Sequence, residues 1–248
     1  MGRRKLGPGI CVHCLEEVEE RNSDHVFPES WYPDSTPPNL EKWQVPSCIP
    51  CNSDYGRMER DLLIKLGLCL DPYDPASASI ADKALRSLRP SAGHNRHDAE
   101  HRRRKGQSIL KQALVGDQIP DHGIFPGLGD RWPDISGERS AILVPKKHFE
   151  RITEKIVRGI IYVEDGRLVQ QPYKIEFFVF ADDATNPWMA AFDRCGKVYA
   201  REPGIVVRRV VAEDDGLTSL FEVKFWRQFK TYASVTADGD ADTLSADG

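Results

Sequence analysis

The chain has 248 residues, of which 40% are hydrophobic and 29% charged, with a formal net charge of −4. This is ordinary globular composition for one large domain or two small ones, and no apolar stretch approaches the ~20 residues of a membrane helix. Met1-Gly2-Arg3-Arg4-Lys5 runs into Leu6-Gly7-Pro8-Gly9 rather than into an apolar secretory segment, so a cytoplasmic protein without a membrane partner is expected.

In chain order, the first zone (1–70) holds five of the six cysteines, four of them as two C-x-x-C pairs, many prolines and one helical segment, Ser53 to Leu68. In that segment Met58, Leu62, Leu63 and Leu66 share one face while Arg57, Arg60 and Lys65 lie off it. The second zone (71–140) is a helical basic region and connector. It opens on Asp71-Pro72-Tyr73-Asp74-Pro75, allows a short helix capped by Ser77 or Ser79 through Leu88, and then a longer one from Asn95 to Val115. Residues 116–140 read as an extended Gly/Pro/Asp-rich connector. The third zone (141–236) starts with a helix, Lys147 to Arg158, and turns to strands at Gly159–Glu164, Tyr173–Ala181, Ile205–Glu213, Leu220–Phe225 and Phe229–Val235. It reads as an antiparallel sheet packed on a helix, which makes the whole chain α+β. The tail from Thr236, with residues 237–248 as a unit, is acidic and expected to be disordered.

Charge is unevenly placed. From Lys83 to Lys111 there are nine basic residues against two acidic ones, and the last thirteen residues carry four aspartates and no base. That distribution suits a protein whose contact with nucleic acid is confined to one surface.

Cys11-Val12-His13-Cys14 and Cys48-Ile49-Pro50-Cys51 are two C-x-x-C knuckles with 33 residues between them. Each such turn aims two thiolates at one ion, and a pair completes a tetrahedral four-thiolate shell, here a structural zinc held by Cys11, Cys14, Cys48 and Cys51. The alternatives are unrelated reduced cysteines or a redox pair, the latter disfavoured without a βαβ context. His13 could replace one thiolate, though a place behind or beside the ligands suits it better. The gap exceeds that of short zinc ribbons, so a functional loop is expected inside it.

That loop contains Ser23-Asp24-His25-Val26-Phe27-Pro28 and Pro38-Asn39-Leu40, and Asn52 follows the second knuckle directly. Phosphodiester hydrolysis needs a general base, a cation to stabilise developing charge, and fixed geometry. Asp24 offers a carboxylate and Asn52 an amide oxygen to a hard Mg²⁺ or Mn²⁺ ion. His25, on the opposite side of the pleat from Asp24, has the right ordinary pKa to accept a proton from water. The order of knuckle, Asp-His, Asn, knuckle and Asn resembles the HNH endonuclease family over about a quarter of the chain. The resemblance implies a ββα-metal fold with strands around 25–27 and 43–46 and a helix from near Asn52. It also implies that Asn39 orients the His25 ring, that Asn52 stands where the family often has His, and that the products carry 5′-phosphate and 3′-hydroxyl ends.

Arg57 and Arg60, and the run Arg102-Arg103-Arg104-Lys105, are candidate phosphate contacts. Trp31 and Trp43 read as core rather than base-stacking residues. The reading is thus a metal-dependent HNH endonuclease acting on nucleic acid, DNA before RNA. Its rivals are a zinc-knuckle binding module without cleavage and a nuclease effector of a defence or toxin system. The C-terminal zone carries no catalytic constellation; substrate recognition, homodimerisation and ligand sensing all remain open for it.

Overall fold

A computed structural model of the chain describes residues 5–71, 73–119, 140–180, 187–201, 204–213 and 215–237. Most of the 116–140 connector and all of the tail beyond 237 lie outside the described residues. The architecture is α+β with antiparallel sheets. None of the helices among the described residues is long and apolar enough to cross a membrane.

Near the N-terminus, strand β1 (Arg21–His25) pairs antiparallel with β2 (Gln44–Cys48), and Lys5–Leu6 adds a short third strand along β1. Helix α1 (Ile49–Gly67) follows β2 without a break. It begins earlier than the apolar periodicity predicts because the second knuckle is its first turn: Cys48 is the N-cap, its sulfur accepting from the Cys51 amide, and Pro50 needs no amide partner there. Met58, Leu62, Leu63 and Leu66 are all buried, while Arg57 and Arg60 are exposed. Lys65 departs from the expected outer face and is buried, its ammonium 3.3 Å from Asp61 one turn earlier.

Helices α2 (Ile80–Leu88) and α3 (Arg96–Gln112) follow, the latter capped by the Asn95 side chain on the Asp98 amide. Helix α4 (Lys146–Asp165) is longer than the expected one, and the strand predicted at Gly159–Glu164 is its last two turns. Ile-Ile-Tyr-Val has strand propensity, but Ile152, Ile156 and Ile160 form one continuous buried stripe at helical spacing, and this tertiary burial overrides local preference. Gly166, at φ 65°, closes the helix in the left-handed conformation.

The C-terminal sheet contains β3 (Tyr173–Phe178), β4 (Lys197–Arg201), β5 (Ile205–Val211), β6 (Ser219–Phe225) and β7 (Phe229–Ala237), in the order β3-β7-β6-β5-β4, every pair antiparallel. Strand β4 and a short helix, α5 (Pro187–Cys195), precede β5 and are not signalled by the sequence pattern. Strand β7 takes in Thr236 and Ala237, which sequence composition assigns to the tail. Phe221, Val223 and Phe225 of β6 and Phe229, Ala233 and Val235 of β7 turn inward, and Thr153 of α4 hydrogen-bonds Thr231 of β7 at 2.9 Å.

Helix α4 is shared by two layers. One side lies on the C-terminal sheet and the other on the β1–β2–α1 unit, so that a single core cluster runs from Val12, Val26 and Trp31 through Ile156 to Phe225 and Val235. Trp31 is fully buried. Its indole N–H donates to the Glu59 carbonyl at 3.2 Å, and its own carbonyl accepts from the Trp226 indole at 2.9 Å. Trp43 is half-buried against Phe27 and Tyr199, so both tryptophans serve packing.

Helix α4 approaches the N-terminal unit closely at Gly159, where an added Cβ would lie 2.7 Å from Val26 Cγ1 and 3.1 Å from Val26 Cβ. Gly159→Ala should therefore destabilise the protein by about 1–2 kcal/mol, the overpacking exceeding the gain in helix propensity. Gly106, in α3, meets nothing nearer than the Leu88 carbonyl at 3.9 Å, and Gly106→Ala should stabilise by about 0.5–1 kcal/mol. Urea unfolding midpoints of the two variants check the opposite signs; equal signs would show that the Val26 contact does not constrain α4.

Candidate functional site

The first knuckle is presented by a small hairpin, Gly9–Ile10 against Glu17–Val18, and is docked on β2 by the Val12 amide, which donates to the Pro46 carbonyl at 3.0 Å. The second knuckle begins at the end of β2. The Cys48 amide donates to Cys11 Sγ at 3.3 Å and the Cys51 amide to Cys48 Sγ at 3.4 Å. The sulfurs of Cys11, Cys14, Cys48 and Cys51 all lie within 4.8 Å of one another, and Cys14 and Cys48 are 3.9 Å apart. A tetrahedral zinc with bonds of ~2.3 Å has sulfur–sulfur edges of about 3.8 Å. Burial works against ionising Cys11, but amides turned toward its sulfur bring it down to about 7. Burial, followed by the neighbouring sulfurs, pushes Cys51 far up. The four sulfurs therefore do not all ionise together without a cation among them, and the cluster could hold a metal such as zinc.

Strand β1 splits the next residues between two environments. Asn22 and Asp24 face α1 and α4, and His25 faces the other way. The Asp24 carboxylate is nearly enclosed. Its Oδ2 accepts from His13 Nε2 at 3.0 Å and its Oδ1 from Lys155 Nζ at 2.9 Å. Burial alone would raise the Asp24 pKa, but the His13 hydrogen bond and the Lys155 charge hold it below the ordinary value. Lys155, from the middle of α4, has a side chain that is 0% exposed; it also contacts the Glu59 carboxylate and lies 5.3 Å from the centre of the Tyr55 ring. His13 is buried with its ring 4.7 Å from Tyr55. Burial lowers its pKa, with Asp24 opposing, so the ring is neutral and carries its proton on the nitrogen facing the carboxylate.

Asn52, in the first turns of α1, is also buried. Its Nδ2 donates to Asn22 Oδ1 at 2.7 Å and to the Ser23 carbonyl at 3.1 Å, fixing the helix to β1 beside Asp24. Asp24 and Asn52 do not, in this arrangement, form a pair of open oxygen ligands. Both carboxylate oxygens have partners, one of them a cation, and the Asn52 amide is spent on β1. A hard dication, which keeps several waters and takes about six oxygens, does not fit those residues as they stand. The four-cysteine cluster is the grouping of potential ligands found among the described residues.

His25 is half-buried, and Gln44, directly opposite it on β2, donates Nε2 to the ring Nε2 at 2.9 Å. An amide nitrogen can only donate, so the ring nitrogen accepts and the proton sits on Nδ1. Burial lowers the His25 pKa, and the charges of Glu29 and Asp24 offset that only in part. Asn39 is exposed in the loop between the strands and makes no hydrogen bond to His25; Gln44 holds the ring instead.

The basic candidates are largely answered from within. Arg57 pairs with Asp54 at 3.0 Å, Arg102 with Asp98 at 3.1 Å, and Arg103 and Arg104 both with Glu100 at 2.9 Å. Lys105 reaches Asp61 at 3.8 Å, and Arg60 is exposed with no ion pair among the described residues. Lys155, Glu59 and Gln44 are the site residues that sequence reasoning misses. Glu59 could have been found, since Asn52, Tyr55 and Glu59 share a helical face, and an acid within such a stripe asks for a partner. No family model, curated protein or solved structure matches the chain.

Metal analysis of the purified chain should find one zinc per molecule, and Cys48→Ser should lose it. The variant's melting midpoint should fall by roughly 10 °C, each kcal/mol being worth about 2–4 °C in a chain of this size. A metal-free chain with undiminished stability would remove the zinc reading.

Proposed function

We propose that the chain is an HNH-type endonuclease that hydrolyses phosphodiester bonds in DNA. The observation that carries this reading is the β1–β2–α1 unit. A four-cysteine cluster staples its base, Asn52 ties the helix to β1 beside Asp24, and a neutral His25 stands on the accessible side of the same strand. The family's ββα arrangement, zinc staple and histidine base correspond to these three features.

In the proposed step His25 is the general base. A water displaces the Gln44 amide from Nε2, gives that nitrogen a proton and attacks phosphorus. The P–O3′ bond breaks and the departing O3′ takes a proton from solvent, leaving a 5′-phosphate and a 3′-hydroxyl. Gln44, in the position expected of Asn39, fixes the ring direction and tautomer before substrate arrives. Asp24 does not touch the substrate; it anchors the strand from behind through His13 and Lys155. Asp24, with both carboxylate oxygens partnered, and Asn52, with its amide nitrogen held by β1, offer a divalent ion no open place in this step. Arg60 is the guanidinium best available for a flanking phosphate.

A zinc-knuckle DNA-binding module without cleavage is the second reading, favoured by the enclosure of Asp24. Incubation of supercoiled plasmid with the parent and with His25→Ala, in Mg²⁺, in Mn²⁺ and in chelator, separates the two. Nicking by the parent should fall at least about 100-fold in His25→Ala, with zinc content and melting midpoint unchanged. If neither protein cuts while both retard DNA on a gel, the binding module stands and the nuclease does not.

A further inference from the structure

We infer that the ammonium of Lys155 is the resident cation of the Asp24 site, supplied by the C-terminal half of the chain and exclusive of a divalent ion. The inference rests on the proposed assignment of Asp24 to the hydrolytic unit and names what controls cation access there.

Four observations carry it. Lys155 Nζ lies 2.9 Å from Asp24 Oδ1 and also contacts Glu59 Oε1, with none of its side chain exposed. The second oxygen of Asp24 is closed by His13 at 3.0 Å. The Asn52 amide is held by Asn22 and Ser23. Helix α4, which carries Lys155, is fixed on its far side to the sheet through Thr153 and Thr231 at 2.9 Å, so the lysine is placed by the packing of the C-terminal half rather than by its own flexibility.

The electrostatics are those of a filled site. Asp24 and Glu59 would repel one another in a buried setting, and the ammonium between them satisfies both. A dication brought to Asp24 would stand within a few ångströms of a like charge in a poorly screened interior. It would also have to strip its waters without finding replacement oxygens. Ammonium and dication therefore compete for one carboxylate, and the ammonium is tethered. Lys155 acts through Asp24 and never reaches a substrate; it is a positioning residue that keeps this carboxylate ionised, turned inward and free of metal.

Mn²⁺ binding to the full-length, zinc-loaded chain tests this, read from the loss of the free-ion paramagnetic resonance signal; Mn²⁺ prefers oxygen to thiolate and leaves the cysteine cluster to zinc. The parent and Asp24→Asn should bind Mn²⁺ equally and weakly. Lys155→Met should bind it at least tenfold more tightly, and adding Asp24→Asn to that variant should abolish the gain. Lys155→Arg, which keeps the charge, should behave as the parent. The inference is overturned if the parent holds an Mn²⁺ ion that Asp24→Asn weakens tenfold, or if folded Lys155→Met binds no more tightly than the parent. Should Lys155→Met fail to fold, the comparison of parent with Asp24→Asn still decides. Cleavage is not needed for the readout. A chain that cuts nothing yet shows the exchange would end the nuclease reading and leave the role of Lys155 intact. A chain whose cutting depends on His25 but whose parent form binds Mn²⁺ through Asp24 would do the reverse.

Discussion

A lysine ammonium with no exposed surface, bridging Asp24 and Glu59, is the interaction on which the arrangement of this protein depends. Taking such a charge out of water costs several kcal/mol, and the cost is offset only when its partners are well placed. Removing one partner from a buried pair typically costs about 3–5 kcal/mol because the other charge is left stranded. The bridge therefore dictates where α4 can lie. Asp24 comes from β1, Glu59 from α1 and Lys155 from α4, and the three meet in one arrangement of those elements. The contact of Gly159 with Val26, one helical turn from Lys155 and one residue beyond β1, belongs to the same close approach: a methyl group added there would crowd the Val26 side chain.

The N-terminal unit needs support beyond this bridge. A hairpin and one helix bury little apolar surface by themselves, and two reinforcements answer that. The four cysteine sulfurs draw together the ends of the hairpin and helix, with Cys48 serving both as the helix cap and as a member of the cluster. On the other side, Trp31 enters the joint core, its carbonyl held by the Trp226 indole. The latter contact sits at a strained place. Trp226 and Arg227 have φ of 48° and 59° in the turn between β6 and β7, a conformation usually left to Gly or Asn. Full burial of the Trp226 ring offsets that cost.

What could be read in the sequence was local. The two knuckles, the apolar stripe of α1, the Asn95 cap and most C-terminal strands are each written within a few residues, as a spacing or an alternation. What could not be read was set by partners far along the chain. Lys155 lies in a stripe of isoleucines as an apparent interruption, and only Asp24, 131 residues earlier, explains it. The last turns of α4 carry strand-like residues, and only burial against both layers makes them helical. The turn at Trp226 has no turn residue. Even the basic run of α3 misleads when counted as charge alone, since Asp98 and Glu100, the two acids within it, each answer one or more of the arginines. Asn39 fits its expected role by order in the sequence, but the register of β1 with β2 puts Gln44 opposite His25, and cross-strand register is decided by the whole hairpin.

The pleat of β1 then accounts for how two adjacent residues come to do different work. Asp24 points into a closed interior, where its charge is fixed by an ammonium from a helix belonging to the other half of the chain. His25 points outward, where partial burial keeps its ring neutral and a cross-strand amide sets its tautomer. A single step along the strand thus separates a carboxylate enclosed among protein partners from the imidazole proposed as the base.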